Sequence, residues 1–447
     1  MQERDIVIIG AGLTGLSTAF NLKQKGRDVL VLEKEKRVGG QIQTHCEDGF
    51  TFESGPNTGV VSFPEVAELF QALSNRCKME VARESSKCRL IWKGNKFHAL
   101  PSGLISAVTT PLFTLKDKFR VLGEPWRQPG NNPDESVGSL AQRRLGRSFF
   151  EYAVDPFLSG VYAGDPMKLC TRYALPKLYN LEANYGSFVR GAIAKAKEPK
   201  ADRDRLATKK VFSAVGGLQQ LVKALAKDID IIKNALDIRI SPDGEGWWHV
   251  TYDGGDIRCH HVITTVGAYA LQELLPFISE EELAPISRLV YAPVIQVCVG
   301  VRNAGALRMP AFGGLVPSKE NKQVLGILFP SECFEGRAPE GGALYSYFMG
   351  GVRHAAYMQK SDEEIRQMVL EAFHQMLKYP AEMEPDMIRI FRHERAIPQY
   401  YADSGERLRA VESLQKRYPG LVLAGNLRDG IGMGNRICQA AKIAASL

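Results

Sequence analysis

An α/β fold is what the sequence predicts, on three observations. A short apolar run, Asp5-Ile6-Val7-Ile8-Ile9, is followed at once by Gly10-Ala11-Gly12-Leu13-Thr14-Gly15. Leu13, Leu16, Ala19 and Phe20 then recur at helical spacing. A second apolar run, Asp28-Val29-Leu30-Val31-Leu32, closes on Glu33. Strand, glycine turn, helix and strand in this order make a βαβ unit that suits a dinucleotide.

Each part has a physical task. Gly10 allows the tight turn, Gly12 lets a pyrophosphate approach the backbone, and Gly15 lets the helix pack on the strand. Leu13 and Thr14 open the helix, where free N–H groups and the helix dipole favour negative charge. Glu33, with Lys34 beside it, is placed to accept hydrogen bonds from ribose hydroxyls. The plainer alternative is a βαβ unit without a ligand. The fingerprint fits NAD and FAD equally.

Bulk properties narrow the rest. With 447 residues the chain can hold two or three domains with substantial cores. Composition is ordinary for a soluble protein, at 45% hydrophobic and 24% charged. No apolar run is long enough for a membrane-spanning helix, and the N-terminus enters a strand directly. The expectation is therefore a cytoplasmic protein without a signal peptide. The eight cysteines form no CxxC pair and read as reduced thiols. Cys259-His260-His261 resembles a metal cluster only in one dimension, because adjacent strand residues point to opposite faces, so no metal is expected. Net charge is +7, with much of the excess in the 195–210 stretch, a solvated face by its composition. No nucleic-acid-binding motif is present.

The next segment favours FAD over NAD. Glu33 is followed six and seven residues on by Gly39-Gly40. This arrangement resembles the flavoprotein amine oxidase superfamily, in which the glycine pair passes close to the flavin and its phosphates. Members usually carry Arg after the pair, where this chain has Gln41. The resemblance also places Gly55, Pro56 and Asn57, in the turn after the 49–54 strand, at the floor of the active site.

Further along, Leu100-Pro101-Ser102-Gly103, Asp134-Glu135-Ser136-Val137, Ala141-Gln142-Arg143-Arg144-Leu145-Gly146 and Gly160-Val161-Tyr162-Ala163-Gly164 resemble the porphyrinogen oxidases. That family comprises protoporphyrinogen oxidase and its sister, the oxygen-dependent, flavin-containing coproporphyrinogen oxidase. Arg395-Ala396-Ile397-Pro398-Gln399-Tyr400 extends the likeness, so it spans nearly the whole chain. It implies a Rossmann-like FAD-binding domain in three segments, 1–60, 211–290 and 396–447. An α+β substrate-binding domain would take 61–90 and 291–395. A helical subdomain would take 91–210, and in some members that part touches a membrane.

Local patterns fill in elements. Gly94-Asn95 predicts a hairpin. Leu221, Val222 and Leu225 predict a helix after Gly216-Gly217-Leu218. Strands are expected over 295–301, 324–329 and 343–349. Ser361-Asp362-Glu363-Glu364 is a capping-box signal. The apolar 104–113 stretch, flanked by Lys116, Lys118 and Arg120, suits a membrane interface, a substrate tunnel or core. At the end, Leu421-Val422-Leu423-Ala424 is a strand running into Gly425. The turn at Asp429-Gly430-Ile431-Gly432-Met433 starts the last helix.

Matched to the family, Leu236 meets the adenine end of FAD, and Gly425, Ile431, Gly432 and Met433 lie at the flavin. The reaction implied is oxidation of a porphyrinogen in haem biosynthesis, six electrons in all, with oxygen as acceptor and hydrogen peroxide as product. Protoporphyrinogen IX and coproporphyrinogen III are both open as substrates. Hydride transfer falls to flavin N5, so no catalytic side chain is named. Asn57 and Gly160 border the substrate. The family often places an Arg for a propionate where this chain has Ile105, which leaves Arg89, Lys96 and Arg172 as candidates, with surface charge the plainer reading of each. An amine oxidase, a carotenoid desaturase or a flavin-binding protein without turnover are the alternatives. A homodimer and a peripheral membrane contact are admitted by the family.

Overall fold

The computed structural model describes every residue except Lys200, which lies in the basic 195–210 stretch, and the side chain of Leu104, at the head of the apolar one. The βαβ unit forms as expected: β1 (Gln2–Ile9), α1 (Leu13–Gln24) and β2 (Val29–Glu33). β1 pairs in parallel with β2 and with the strand Gly255–Thr264, so it is covered on both edges. Helices cover both faces, which is why these strands read as unbroken apolar runs and not as an alternation. Asp230–Lys233 extends the sheet beyond β2 in parallel. On the far side, Gly255–Thr264 pairs antiparallel with Trp248–Tyr252 over its first half and parallel with Leu421–Leu423 over its second.

One core joins this sheet to α1, to Pro64–Ala72, to Gln219–Ala226 and to the last helix, Met433–Ser446. The other face carries Glu280–Ser287 and Ser404–Arg417, with Trp248 buried against them. Segments far apart in the chain thus bring their carboxyl ends to one edge, where Gly10, Glu33, Thr265 and Ala424 lie. In open α/β sheets that edge is the ligand-binding edge.

A second sheet has the order Met387–Pro398, Tyr291–Val301, Ala343–Gly350, Gly326–Leu328, Gly313–Leu315, Arg89–Lys93, Lys96–Ala99. The Gly94-Asn95 hairpin forms its last two strands. The strand expected over 324–329 narrows to Gly326–Leu328, which pairs with Ala343–Gly350 from Gly326 opposite Phe348 to Leu328 opposite Ser346. Asp362–Met376 backs the sheet, and Ser361 and Glu364 cap it reciprocally as the capping box predicts.

Helices fill most of the chain between these strands, from Leu104–Thr109 to Phe188–Lys197. They are organised on a fully buried ion pair, Glu124 with Arg144. Glu124 also accepts from the Ser187 hydroxyl (2.6 Å) and from the N–H groups of Phe188 (2.9 Å) and Val189 (3.2 Å). One carboxylate therefore satisfies the start of a helix and an arginine together, which is what a charge needs in order to be buried. Cys259 is buried and His260 exposed on the same strand, and the described residues contain no group of three or more metal-ligating side chains.

Candidate functional site

The glycine loop closes the carboxyl edge of the first sheet. Gly10 takes φ +100°, and its N–H reaches Leu32 O (2.8 Å). A methyl group at Gly15 would overlap the Gly10 carbonyl oxygen, so α1 starts as close to β1 as two backbones allow. At Gly12 the opposite holds: a Cβ would meet nothing within 4 Å. Gly12 is the N-cap of α1 and supplies no side-chain hydrogen bond. The first N–H groups of the helix are thereby left for a ligand, and Gly12 leaves the approach open.

Glu33 is buried and does more than the sequence predicts. Its carboxylate accepts from Ala11 N (2.7 Å) and Glu35 N (2.9 Å), tying the end of β2 to the glycine loop. Each oxygen keeps a second lone pair for a ribose hydroxyl. Lys34 is exposed beside it. Ala235 N donates to Glu33 O (3.0 Å), which brings exposed Leu236 to the same corner.

The glycine pair crosses this loop. Gly39 N donates to Ala11 O (2.8 Å), and a Cβ on Gly40 would come within 3.3 Å of Gly12 Cα. Arg37, which sequence reasoning passed over, donates to Gly40 O (2.7 Å) and holds the loop from behind. Gln41 is exposed and reaches Arg395 O at 3.4 Å. A methyl group on Gly55 would overlap the Gln41 carbonyl, so the Gly-Pro-Asn turn lies directly on the glycine pair.

That turn is fastened from below. Asn57 is buried, its amide donates to Gly55 O (3.0 Å), and its carbonyl accepts from the Ser346 hydroxyl (3.0 Å). His393 Nε2 bonds Ser54 O (2.6 Å), and His45 Nε2 pairs with the Ser54 hydroxyl (2.9 Å). Burial lowers the pKa of both histidines, and Arg37 adds to the effect at His45. One residue earlier, Glu53 accepts from Leu218 N (2.8 Å) and the Thr44 hydroxyl (2.8 Å). Burial pushes its carboxyl up to about 7, against the pull of those two donors and of Arg337. Asn57 thus braces the Gly-Pro-Asn turn from within the protein.

The C-terminal turn completes the ring of backbone. Ala424 N donates to Thr264 O (2.8 Å), and Gly425 N to Gln439 Oε1 (2.9 Å). Buried Arg436 donates to the carbonyls of Gly425, Arg428 (2.7 Å) and Gly430 (2.8 Å). Gly432 caps Met433–Ser446 without a side-chain hydrogen bond and is exposed, so this helix too presents free N–H groups. Ile431 is half-buried and Met433 buried beside it.

The Arg395 to Tyr400 segment links this turn to the helices. Gln399 donates to Tyr162 O (2.9 Å), at the end of the helix Asp155–Tyr162. The Tyr400 hydroxyl donates to Asn426 O (3.1 Å) and accepts from Gly430 N (3.1 Å). Gly160, on that helix, is exposed and packs so tightly on Leu315 that a Cβ would clash. Of the three basic candidates, Arg172 is paired with Asp134 (2.5 Å), Arg89 lies over the Phe312 ring (5.4 Å), and Lys96 is exposed on the hairpin. None joins the ring of site segments. Arg436 left one signal in the sequence, a charge in the first turn of a helix that is otherwise rich in Ile and Ala. Thr265, Ser346 and His393 left none, because their partners are remote in the chain.

Two helix N-termini without side-chain caps, a buried acid at a strand end and a glycine pair against the first glycine loop together fit a dinucleotide that carries a second ring system. Comparison with known proteins agrees. Protoporphyrinogen oxidase 1 of Arabidopsis thaliana chloroplasts is 30% identical, over 96% of this chain and 85% of the relative. The Arabidopsis protoporphyrinogen oxidase 2 is 29% identical over 99% of this chain and 94% of the relative. A crystal structure from Exiguobacterium sp. 255-15, of a protein proposed to be a protoporphyrinogen oxidase, superposes with a TM-score of 0.82. It covers 100% of this chain and 98% of the other at 23% identity, which establishes the fold. The family model of the flavin-containing amine oxidoreductases matches residues 13–432, from the start of α1 to the Gly432 cap. FAD is therefore the cofactor, the protein is an FAD-dependent oxidoreductase, and the chain belongs to the flavin-containing amine oxidoreductase family.

Proposed function

We propose that the protein oxidises a porphyrinogen to the porphyrin, with protoporphyrinogen IX as substrate and coproporphyrinogen III as the alternative. The observation that carries this reading is the likeness to protoporphyrinogen oxidases over almost the entire chain, helical part included. Bound FAD supplies the two-electron acceptor. The residues of this chain have supporting tasks. The N–H groups at Gly12 to Thr14 hold the diphosphate, and Glu33 the adenosine ribose. The dipole of Met433–Ser446 favours negative charge at its N-terminus. Gly55, Pro56 and Asn57 form a floor that Ser346 and His393 keep rigid. Gly160 and Leu315 border the substrate side.

Conversion to the porphyrin removes six electrons and six protons. Three molecules of oxygen accept them and leave as three of hydrogen peroxide, which balances the reaction. The holoenzyme, incubated in air with each porphyrinogen, is expected to yield porphyrin fluorescence and peroxide in that ratio. If neither substrate is oxidised faster than its autoxidation, the reading fails. The ratio of the two rates decides between the substrates.

A peripheral membrane contact belongs to the same reading. Ile105 (84% exposed), Phe119 (71%) and Trp126 (78%) support it, together with exposed Val108, Leu115 and Leu122. Exposed aromatic and aliphatic side chains beside Lys116 and Arg120 suit the interface of an anionic bilayer. Among the described residues no helix is long and apolar enough to cross a membrane.

A further inference from the structure

Arg395 stands apart from the other arginines around the site. Arg436 is spent on carbonyls, Arg37 holds the glycine pair, Arg172 is ion-paired and Arg428 pairs with Asp429. Arg395 is exposed, and among the described residues no carboxylate lies within ion-pair reach of it. It is nevertheless seated. Its guanidinium carbon lies 4.1 Å from the centre of the Tyr269 ring. Such a stack fixes the plane of the guanidinium and leaves its N–H edge free for a planar oxyanion.

The seat is tied to three parts of the site. Tyr269 covers Gly267, where a Cβ would clash with its ring. Gly267 follows Thr265, whose hydroxyl donates to Gly10 O (3.1 Å). The Tyr269 ring meets Tyr291 edge-on at 5.5 Å, and the Tyr291 hydroxyl reaches Asn426 Oδ1 at 3.4 Å. Gln41, beside the glycine pair, reaches the Arg395 carbonyl. The first glycine loop, the glycine pair and the C-terminal turn therefore converge on one stacked cation. Tyr269 itself is 42% exposed, so the pair lines an accessible mouth and not a core.

We propose that Arg395, seated on Tyr269, receives an oxyanion at the mouth of the site. Two sources share that chemistry: a carboxylate of the substrate, and a phosphate of the cofactor. The first rests on the porphyrinogen reading and answers the missing cation at Ile105. The second answers the missing cation at Gln41 and is independent of that reading.

The test uses Arg395→Gln and Arg395→Lys, with Tyr269→Leu as a second route that keeps the cation and removes its seat. FAD affinity is read by fluorescence titration of the apoprotein, and KM and kcat by oxidation of each porphyrinogen. With a carboxylate ligand, Gln raises KM about fivefold, by more than kcat falls, and leaves FAD affinity alone. The Lys variant lies between, and Tyr269→Leu moves KM the same way. With a phosphate ligand, the same order appears in FAD affinity and not in KM. Unchanged KM and FAD affinity in Arg395→Gln, or a Lys variant no better than Gln, overturns the proposal. If the wild-type enzyme oxidises neither porphyrinogen, the functional reading fails by itself; the FAD titration then decides Arg395 alone, and unchanged affinity overturns it.

Discussion

A methyl group added at Gly15 and one added at Gly12 test different physics. At Gly15 it strikes the Gly10 carbonyl, so either α1 or β1 must shift. Gly15→Ala is expected to cost the apoprotein about 1–3 kcal/mol, as overpacking does. At Gly12 the methyl meets no protein atom but occupies the approach to the helix N-terminus. Gly12→Ala should leave the apoprotein's melting temperature unchanged while FAD affinity falls; melting and FAD titration of both variants separate the cases. Glu53 makes a pH prediction. Its folded pKa, about 7, lies above the ordinary 4.5. Between those values the native state holds a proton that the unfolded chain has lost, so stability falls as pH rises through that window and levels off above it. The full effect is about 3 kcal/mol. His45 and His393, with lowered pKa values, act in the opposite direction as pH rises. The difference between wild type and Glu53→Gln isolates the carboxyl: denaturation at pH 5 and pH 8 should show a smaller loss in the variant. An equal loss in both would place the slope elsewhere.

Elements show where sequence reasoning reaches and where it stops. β1, α1 and β2 were legible because a parallel strand buried on both faces must be apolar throughout, and because glycines mark the turn. The capping box at Ser361 and the hairpin at Gly94-Asn95 were legible because their partners are neighbours in the chain. The fastening of the site was not. Ser346 to Asn57, His393 to Ser54 and Thr265 to Gly10 join residues far apart, and no local pattern encodes them. Asn57 is placed at the substrate by the family resemblance; the two hydrogen bonds of its amide within the protein are an addition that no local pattern encodes. The C-terminal turn depends most on such a bond. Arg436→Leu removes the donor from three carbonyls, one buried and two partly buried. Carbonyls stripped of their partner cost about 1–3 kcal/mol each, so the turn should open before the sheet melts. The expected result is loss of FAD at a temperature well below global unfolding, followed by flavin fluorescence during a thermal ramp. Simultaneous loss of flavin and fold would show that the turn and the sheet form one cooperative unit.

For the molecule as a whole, its apolar surface is unevenly placed. Leu115, Phe119 and Leu122 recur at the spacing of one helix face, and the helix that carries them buries no residue. Trp126 follows in the next turn, and Ile105 and Val108 precede them. A fold that buries its sheets between helices has no structural need for these side chains, and a soluble surface gains nothing from them. Thr114 and Asp117 cap the same helix reciprocally, so its conformation does not depend on the apolar face being covered. Burial of such a face in a bilayer interface is worth about 1.5 kcal/mol or more for each large side chain, and the basic residues around it add attraction to anionic lipid. The holoenzyme should therefore co-sediment with phosphatidylserine-containing vesicles, more weakly at high salt. Replacing Leu115, Phe119, Leu122 and Trp126 together by Ser should abolish sedimentation without lowering the melting temperature, because no core contact is lost. Vesicle binding that survives the four changes would move the contact to another surface, and wild-type protein that remains in the supernatant would remove the membrane from the proposal. Because the patch and the flavin site lie on different elements, turnover of a substrate in detergent-free solution should be equal in both proteins.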